Sequence, residues 1–355
     1  MPIFNRAESF CARFRLKMPI LLAPMAGASA PTLSAAVMAG GGLGACGALL
    51  MQPKEILQWA EKVRSLSRGS FQLNLWIPDP VPVRDRNREE NLREFLANWG
   101  PEVPASAGDQ TPPSFEAQCE ALIEASPVAI SSVMGLFPSD YVERARSKGI
   151  AWFAITSTLA EAKEAEAAGA DVIVVQGMEA GGHRASFKAE HAERDQVGLF
   201  SLLPAVVDAV SVPVVATGGI ADGRGVVAAL ALGASAAQIG TGFLRCPEAQ
   251  IHPAWADAIG RTPPEGTRLS RVFSGRTGRS VATTYVEAAT APDAPTPASY
   301  PVQRGLTALM RAEAVKQGDV ERMQAWAGQS ASLAQPEPAQ DFAQRIWADT
   351  RAMVR

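Results

Sequence analysis

Residues 213–242 read PVVATGGIADGRGVVAALALGASAAQIGTG: a short β-branched run, a glycine pair, a longer helical pattern, and a second apolar run that ends on more glycine. Pro213–Thr217 and Ala236–Gly240 have the length and apolar continuity of buried parallel strands, and the stretch between them is their crossover helix. The same rhythm extends back through Ile20–Ala23, Leu43–Gly47, Phe71–Trp76, Val128–Val133, Ala151–Ile155 and Val172–Gln176. Eight such units over about 250 residues fill a closed barrel, whereas open doubly wound sheets usually stop at five or six strands. The expected fold is therefore α/β, a (β/α)8 TIM barrel.

Helix ends agree with this reading. Pro53 opens a helix whose inward face is Ile56, Leu57, Ala60 and Val63. Thr158 and Glu161 have capping-box spacing, and Gly149, Gly169 and Gly233 each stand where an outer helix should stop before the next strand. Residues 78–113 depart from the rhythm, with nine prolines or glycines around a charged helical pattern, Arg84–Asn98, and are expected to form an inserted loop over one barrel mouth. After residue 250 the alternation ends. A Pro-rich connection, Ala291–Pro301, leads to helical patterns near 302–317, 320–334 and 339–354. The expected organisation is a barrel over 1–255, a small C-terminal helical cap over 256–335, and a last helix, 336–355, returning to the barrel.

With 47% hydrophobic and 19% charged residues the 355-residue chain is globular, and 33 Lys plus Arg against 36 Asp plus Glu leave no broad positive field for nucleic acid. Cys11, Cys46, Cys119 and Cys246 are scattered, with no disulfide framework and no metal-ligand spacing, which fits a cytoplasmic protein without a metal site. The N-terminal apolar stretch carries Pro19 and Pro24 and reads as a first strand. The most apolar region, Val226–Ile239, is shorter than the roughly 20 residues of a membrane span. No membrane or nucleic-acid partner is expected, and a homo-oligomer stays open.

Chemistry in such a barrel sits at the C-terminal strand ends. There the seventh strand ends Thr217-Gly218-Gly219 and the eighth Gly240-Thr241-Gly242, loops whose backbone N–H groups suit a phosphate. Strand three alternates, turning Phe71, Leu73, Leu75 and Ile77 to the helices and Gln72, Asn74 and Trp76 inward. Asn74 then needs partners, from neighbouring strands or from a bound heterocycle. Strand six continues through Gln176 into Gly177-Met178-Glu179-Ala180-Gly181-Gly182-His183. This gives His183 a glycine-flanked place at the mouth and a pKa suited to proton transfer near neutrality. His191 and His252 lie in exposed or connecting segments, and the helical-pattern tryptophans, Trp59 and Trp326 among them, read as packing. Ala23-Pro24-Met25 makes a stiff apolar turn at the same mouth, either the floor for a planar ring or a structural turn.

Together with Gly40–Gly44, Ala216–Gly225, Gln238–Thr241, Ser274-Gly275-Arg276, Tyr300-Pro301 and Trp326–Gln329, these motifs resemble, nearly end to end, the nitronate monooxygenases, FMN enzymes on a TIM barrel. The resemblance implies a cofactor-binding set of Ala23, Pro24, Met25, Asn74, Gln176, Gly181, Gly182, Gly218, Gly219, Gln238, Ile239, Gly240 and Thr241. The last two loops would take the FMN phosphate, and His183 would face the substrate. It further implies one-electron oxidation of an alkyl nitronate such as propionate 3-nitronate, with O2 chemistry giving a carbonyl compound and nitrite. His183 would hold the nitronate and act as base toward a neutral nitroalkane. Ser274, Arg276 and Tyr300 would close the pocket, although Arg276 reads equally as a solvated loop charge. Bacterial relatives of the propionate-3-nitronate type often carry a second His where this chain has Val133, so the pocket is expected to be less polar and to accept a larger or more apolar nitronate. The competing readings are an FMN-dependent NAD(P)H reductase of enoyl thioesters or quinones, a flavin-free sugar-phosphate isomerase or aldolase, and an inert flavin carrier. No Lys or carboxylate pair stands at the strand ends to serve the second of these.

Overall fold

Parallel strands covered on both faces need uninterrupted apolar sequence, and Val172-Ile173-Val174-Val175 shows that pattern at its plainest. The computed structural model describes residues 2–354; Met1 and Arg355, the outermost residues of the expected barrel and returning-helix segments, lie outside them. The first six strands are β1 (Ile20–Leu22), β2 (Gly44–Gly47), β3 (Phe71–Trp76), β4 (Ala129–Val133), β5 (Ala151–Thr156) and β6 (Val172–Gln176). After them come the two-residue β7 (Gly182–His183), then β8 (Val214–Thr217), β9 (Ala236–Ile239), β10 (Thr267–Ser270) and β11 (Gly278–Val281). Eight of these form one parallel sheet in the order β1-β9-β8-β6-β5-β4-β3-β2. Leu22 N donates to Leu43 O at 2.9 Å and Leu43 N to Ile20 O at 3.1 Å, which joins the two edges and closes the (β/α)8 barrel.

The interior is packed. Phe153, Val174, Val215 and Leu21 fill it, and a helix over Asn5–Phe14 that the sequence reading did not anticipate plugs its lower end. Phe14 and Phe10 lie 5.0 and 6.2 Å from the Phe153 ring. Strand β3 alternates as its sequence requires: Leu73 and Leu75 face the outer helices, and Gln72 reaches across the interior to Gln238 at 3.1 Å. The capping box at Thr158 and Glu161 forms. Directly after β9 come only the short turns Thr241–Phe243 and Pro247–Ala249. The place of a longer helix in the outer ring is taken by the C-terminal helix Ala339–Met353, which packs between the helices Pro31–Gly40 and Gly223–Ala231 and buries Phe342, Ala343 and Ile346.

The cap differs from a purely helical one. Strands β10 and β11 pair antiparallel, and β7, the segment that carries His183, is the third strand of that sheet. The helix expected over 320–334 is absent; short turns at Val320–Arg322 and Ala331–Leu333 flank an extended segment. The backbone groups of that segment serve the sheet instead, Val281 N donating to Ala325 O at 2.9 Å, so tertiary pairing overrides a helical sequence pattern. The pattern over 302–317 divides into Val302–Leu306 and Ala308–Gln317 at Thr307, whose hydroxyl donates to Phe273 O at 2.7 Å. In the insertion, a helix spans Arg86–Leu96. Leu92, Leu96 and Val103 share one apolar cluster with Val272, Phe273, Tyr285 and Leu306 of the cap, so insertion and cap form one cover over the upper mouth.

An ion pair links the two parts of that cover. Arg276, 2% exposed, donates from Nε to Asp79 at 2.8 Å and from Nη1 to Ser186 O at 2.9 Å. Asp79→Asn should cost about 2 kcal/mol, less than a fully buried pair because Asp79 is partly exposed, and should appear as a lower urea midpoint. An unchanged midpoint would show that the pair contributes nothing.

Candidate active site

A cavity opens at the C-terminal ends of the barrel strands, beneath the cap. Of the residues singled out in the sequence, Ala23, Pro24, Met25, Asn74, Val133, Gln176, Gly181, Gly182, His183, Gly218, Gly219, Gln238, Gly240, Thr241, Ser274 and Tyr300 all line it. Two do not. Ile239 is buried between the sheet and the outer helices, and Arg276 is held in its pair with Asp79. Its near-complete burial corrects the expectation of a solvated loop charge.

At one end of the cavity the backbone conformation makes donors available. Gly218 and Gly219 take φ of +108° and +70°, a region costly for other residues, and the N–H groups of Gly218, Gly219 and Gly240 donate to no backbone acceptor among the described residues. The segment Trp326–Ser330 braces these loops. Gly328 N donates to Thr241 Oγ1 at 3.0 Å, Gln329 N to Glu179 O at 2.9 Å, and Ser330 Oγ to Gly219 O at 2.6 Å. Such a cluster of unpaired donors in glycine loops matches a phosphate in charge and geometry.

Along the floor the amides are partly used by the protein. Asn74 Nδ2 donates to Ser131 O and Oγ at 3.1 and 3.0 Å, which answers to its neighbouring strand, and Asn74 Oδ1 accepts nothing among the described residues. Gln176 Oε1 accepts from Arg184 Nη1 and Ala185 N, both at 2.9 Å, and its Nε2 donates to His183 O at 3.0 Å. Glu179, the nearest carboxylate in the sequence, accepts from Leu199 N at the start of the helix Leu199–Val207. It caps a helix there.

His183 stands at the other end. Its backbone is fixed by the pairing of β7 with β11, Gly278 opposite His183. The ring is wedged edge-on between Trp76 and Trp326, with centroids 4.6 and 4.7 Å away, and Nε2 lies 2.7 Å from Ser274 Oγ. Burial, with smaller contributions from the charges of Arg304 and Arg276, pushes its pKa down to about 3. From its sequence setting alone the group is expected to titrate near neutrality. The shift favours the neutral imidazole, because its surroundings hydrate the cation poorly.

Several lining residues escaped the sequence reading: Trp76 as the second wall of His183, Trp326 as the first, and Arg304. Trp326 does pack, as expected, but it packs on the His183 ring. Arg304, on the short helix Val302–Leu306, carries no signal in the sequence that points to the cavity.

No helix among the described residues is long and apolar enough to cross a membrane. The family model described as nitronate monooxygenase matches residues 8–349. A nitronate monooxygenase of Paraburkholderia phytofirmans is 36% identical over 335 residues, 92% of this chain and 91% of that protein. One from Pseudomonas aeruginosa is 34% identical over 349 residues, 97% and 99% of the two chains. Among solved structures, nitroalkane oxidase from Streptomyces ansochromogenes is similar with a TM-score of 0.87 and 32% identity, covering 97% of this chain and 100% of that one. FabK from Thermotoga maritima reaches 0.75 at 26% identity, covering 98% and 96%. With the family model matched over residues 8–349 and relatives such as these aligned over nearly the whole chain, the chain belongs to the nitronate monooxygenase family, enzymes that oxidise nitronates.

Proposed function

We propose that this enzyme binds FMN in the barrel-mouth cavity and oxidises alkyl nitronates with O2 to a carbonyl compound and nitrite. The observation that carries the reading is the cavity's polarity along its length: unpaired backbone donors of Gly218, Gly219 and Gly240 at one end and His183, walled by two indoles, at the other. The residues fit the group. The glycine loops would hold its phosphate, Asn74 Oδ1 would accept from the ring edge, and the stiff turn Ala23-Pro24-Met25 would support the ring. When bound, the flavin supplies the one-electron oxidation of the nitronate.

The chain's own part is binding and orientation. A neutral His183 offers one N–H and one lone pair, and a nitronate oxygen can accept from the N–H without the cost of placing an imidazolium in this site. Ser274 can supply the tautomer this needs: with Arg276 N donating to its oxygen at 3.3 Å, its hydroxyl donates to His183 Nε2 at 2.7 Å, and Nδ1 carries the N–H. Cofactor released from the purified protein by heat should be FMN by mass, and aerobic turnover of a nitronate should release nitrite. Release of FAD, or of no flavin after attempted reconstitution, would contradict the reading.

The depressed pKa gives a pH prediction. A group whose folded pKa lies near 3 is neutral throughout the range above it, so activity that requires neutral His183 is fully present at pH 5 to 8 and falls only as pH drops toward about 3. The kcat/KM profile for preformed nitronate should therefore show no histidine inflection between pH 5 and 8. An inflection near 6.5 that disappears in His183→Asn would overturn the assignment of the neutral form.

A further inference from the structure

Arg304 is unlike the other buried and half-buried arginines nearby. Arg276 has Asp79, Arg184 has Gln176 Oε1 and Gly177 O, Arg279 has Met178 O and Thr267, and Arg311 has Thr307, Gln324 and Arg304 O. The guanidinium of Arg304 has no hydrogen bond, ion pair or stacked aromatic face among the described residues, yet it lines the cavity. No Asp, Glu or Lys lines that cavity. With His183 neutral, Arg304 is its one full charge among the described residues. Burial also holds the Arg304 pKa below its usual value, the mark of a cation without a counter-ion. Tyr300, in the turn before that helix, also lines the cavity 5.4 Å from the Trp76 ring and brings a hydroxyl that likewise makes no hydrogen bond among the described residues.

A partly buried cation left without a partner is costly, and a bidentate donor of this shape is complementary to a planar oxyanion. We infer that Arg304 is a specificity-determining residue that binds a second acidic group on the substrate, a carboxylate at the tail of the nitronate, with the Tyr300 hydroxyl as the adjoining donor. The inference rests on the nitronate-oxidising reading. It reverses the expectation from Val133 of a less polar pocket: Val133 does line the cavity, but the charge is supplied from the cap. The preferred substrate is then a dianion, with its nitronate end toward His183 and its carboxylate toward Arg304.

The test compares kcat/KM for propionate 3-nitronate and propyl-1-nitronate, which have the same carbon chain with and without the carboxylate, in wild type, Arg304→Met and Arg304→Lys. Because both substrates are measured on one preparation, the ratio is independent of folding yield and flavin loading. Wild type should prefer the carboxylated substrate by about 100-fold, the value of a well-made hydrogen-bonded ion pair, and chiefly through KM. Arg304→Met should bring the ratio close to one, and Arg304→Lys should restore part of it. A wild-type ratio near one, or a ratio unaltered in Arg304→Met because both substrates suffer equally, would overturn the inference while leaving nitronate oxidation intact. The second of these outcomes would assign Arg304 to the nitronate end. Turnover of neither nitronate by wild type would instead remove the underlying reading.

Discussion

His183→Asn should lower kcat/KM for nitronates by at least about 100-fold, within the usual range for loss of a positioned proton-handling group. The shorter amide cannot span from β7 to both indoles and Ser274, so the donor aimed at the substrate is lost together with the wall that aims it. The phosphate end of the cavity is built from other loops. FMN content and thermal midpoint should therefore change little, and that separation makes the result interpretable. Equal turnover by His183→Asn on both nitronate and neutral nitroalkane would remove the imidazole from the mechanism.

The second large effect belongs to Gly181. A Cβ there would sit 2.5 Å from Gly328 N and 2.6 Å from Ala327 C, both backbone atoms that cannot swing aside. Gly181→Ala must therefore displace the segment that carries Trp326 to His183, Gly328 to Thr241 and Ser330 to Gly219. Overpacking of this kind costs about 1–3 kcal/mol. We expect at least a tenfold loss of FMN affinity, about 1.4 kcal/mol, with a lower thermal midpoint. Normal flavin retention with a normal melting temperature would show that the two loops are not in the contact described.

These two residues also show what the sequence could reveal. Gly181 and His183 stood out because a glycine-flanked histidine after Val174-Val175-Gln176 has few structural uses, and the barrel was legible because strands buried on both faces cannot hide their apolar continuity. The glycine stops were equally direct, since Gly149, Gly169 and Gly233 all adopt positive φ. What escaped was whatever depends on partners distant in sequence. Gly182-His183 is too short to announce itself as a strand, and becomes one only because Gly278 and Arg279 lie beside it. Residues 320–334 look helical until β11 claims their backbone. Arg304 reads as one more surface arginine on a short helix. Only the absence of an acidic partner, a property of the folded cavity, makes it conspicuous.

The central claim is that this cavity holds a flavin that takes electrons from nitronates. The most direct test is the visible spectrum of the purified protein, recorded anaerobically during addition of propionate 3-nitronate and, in a separate cell, of NADH. A flavin spectrum that changes within mixing time on nitronate and stays constant with NADH is the predicted result. Bleaching by NADH alone, with no response to nitronate, would contradict the account and favour a reductase like the structurally similar FabK.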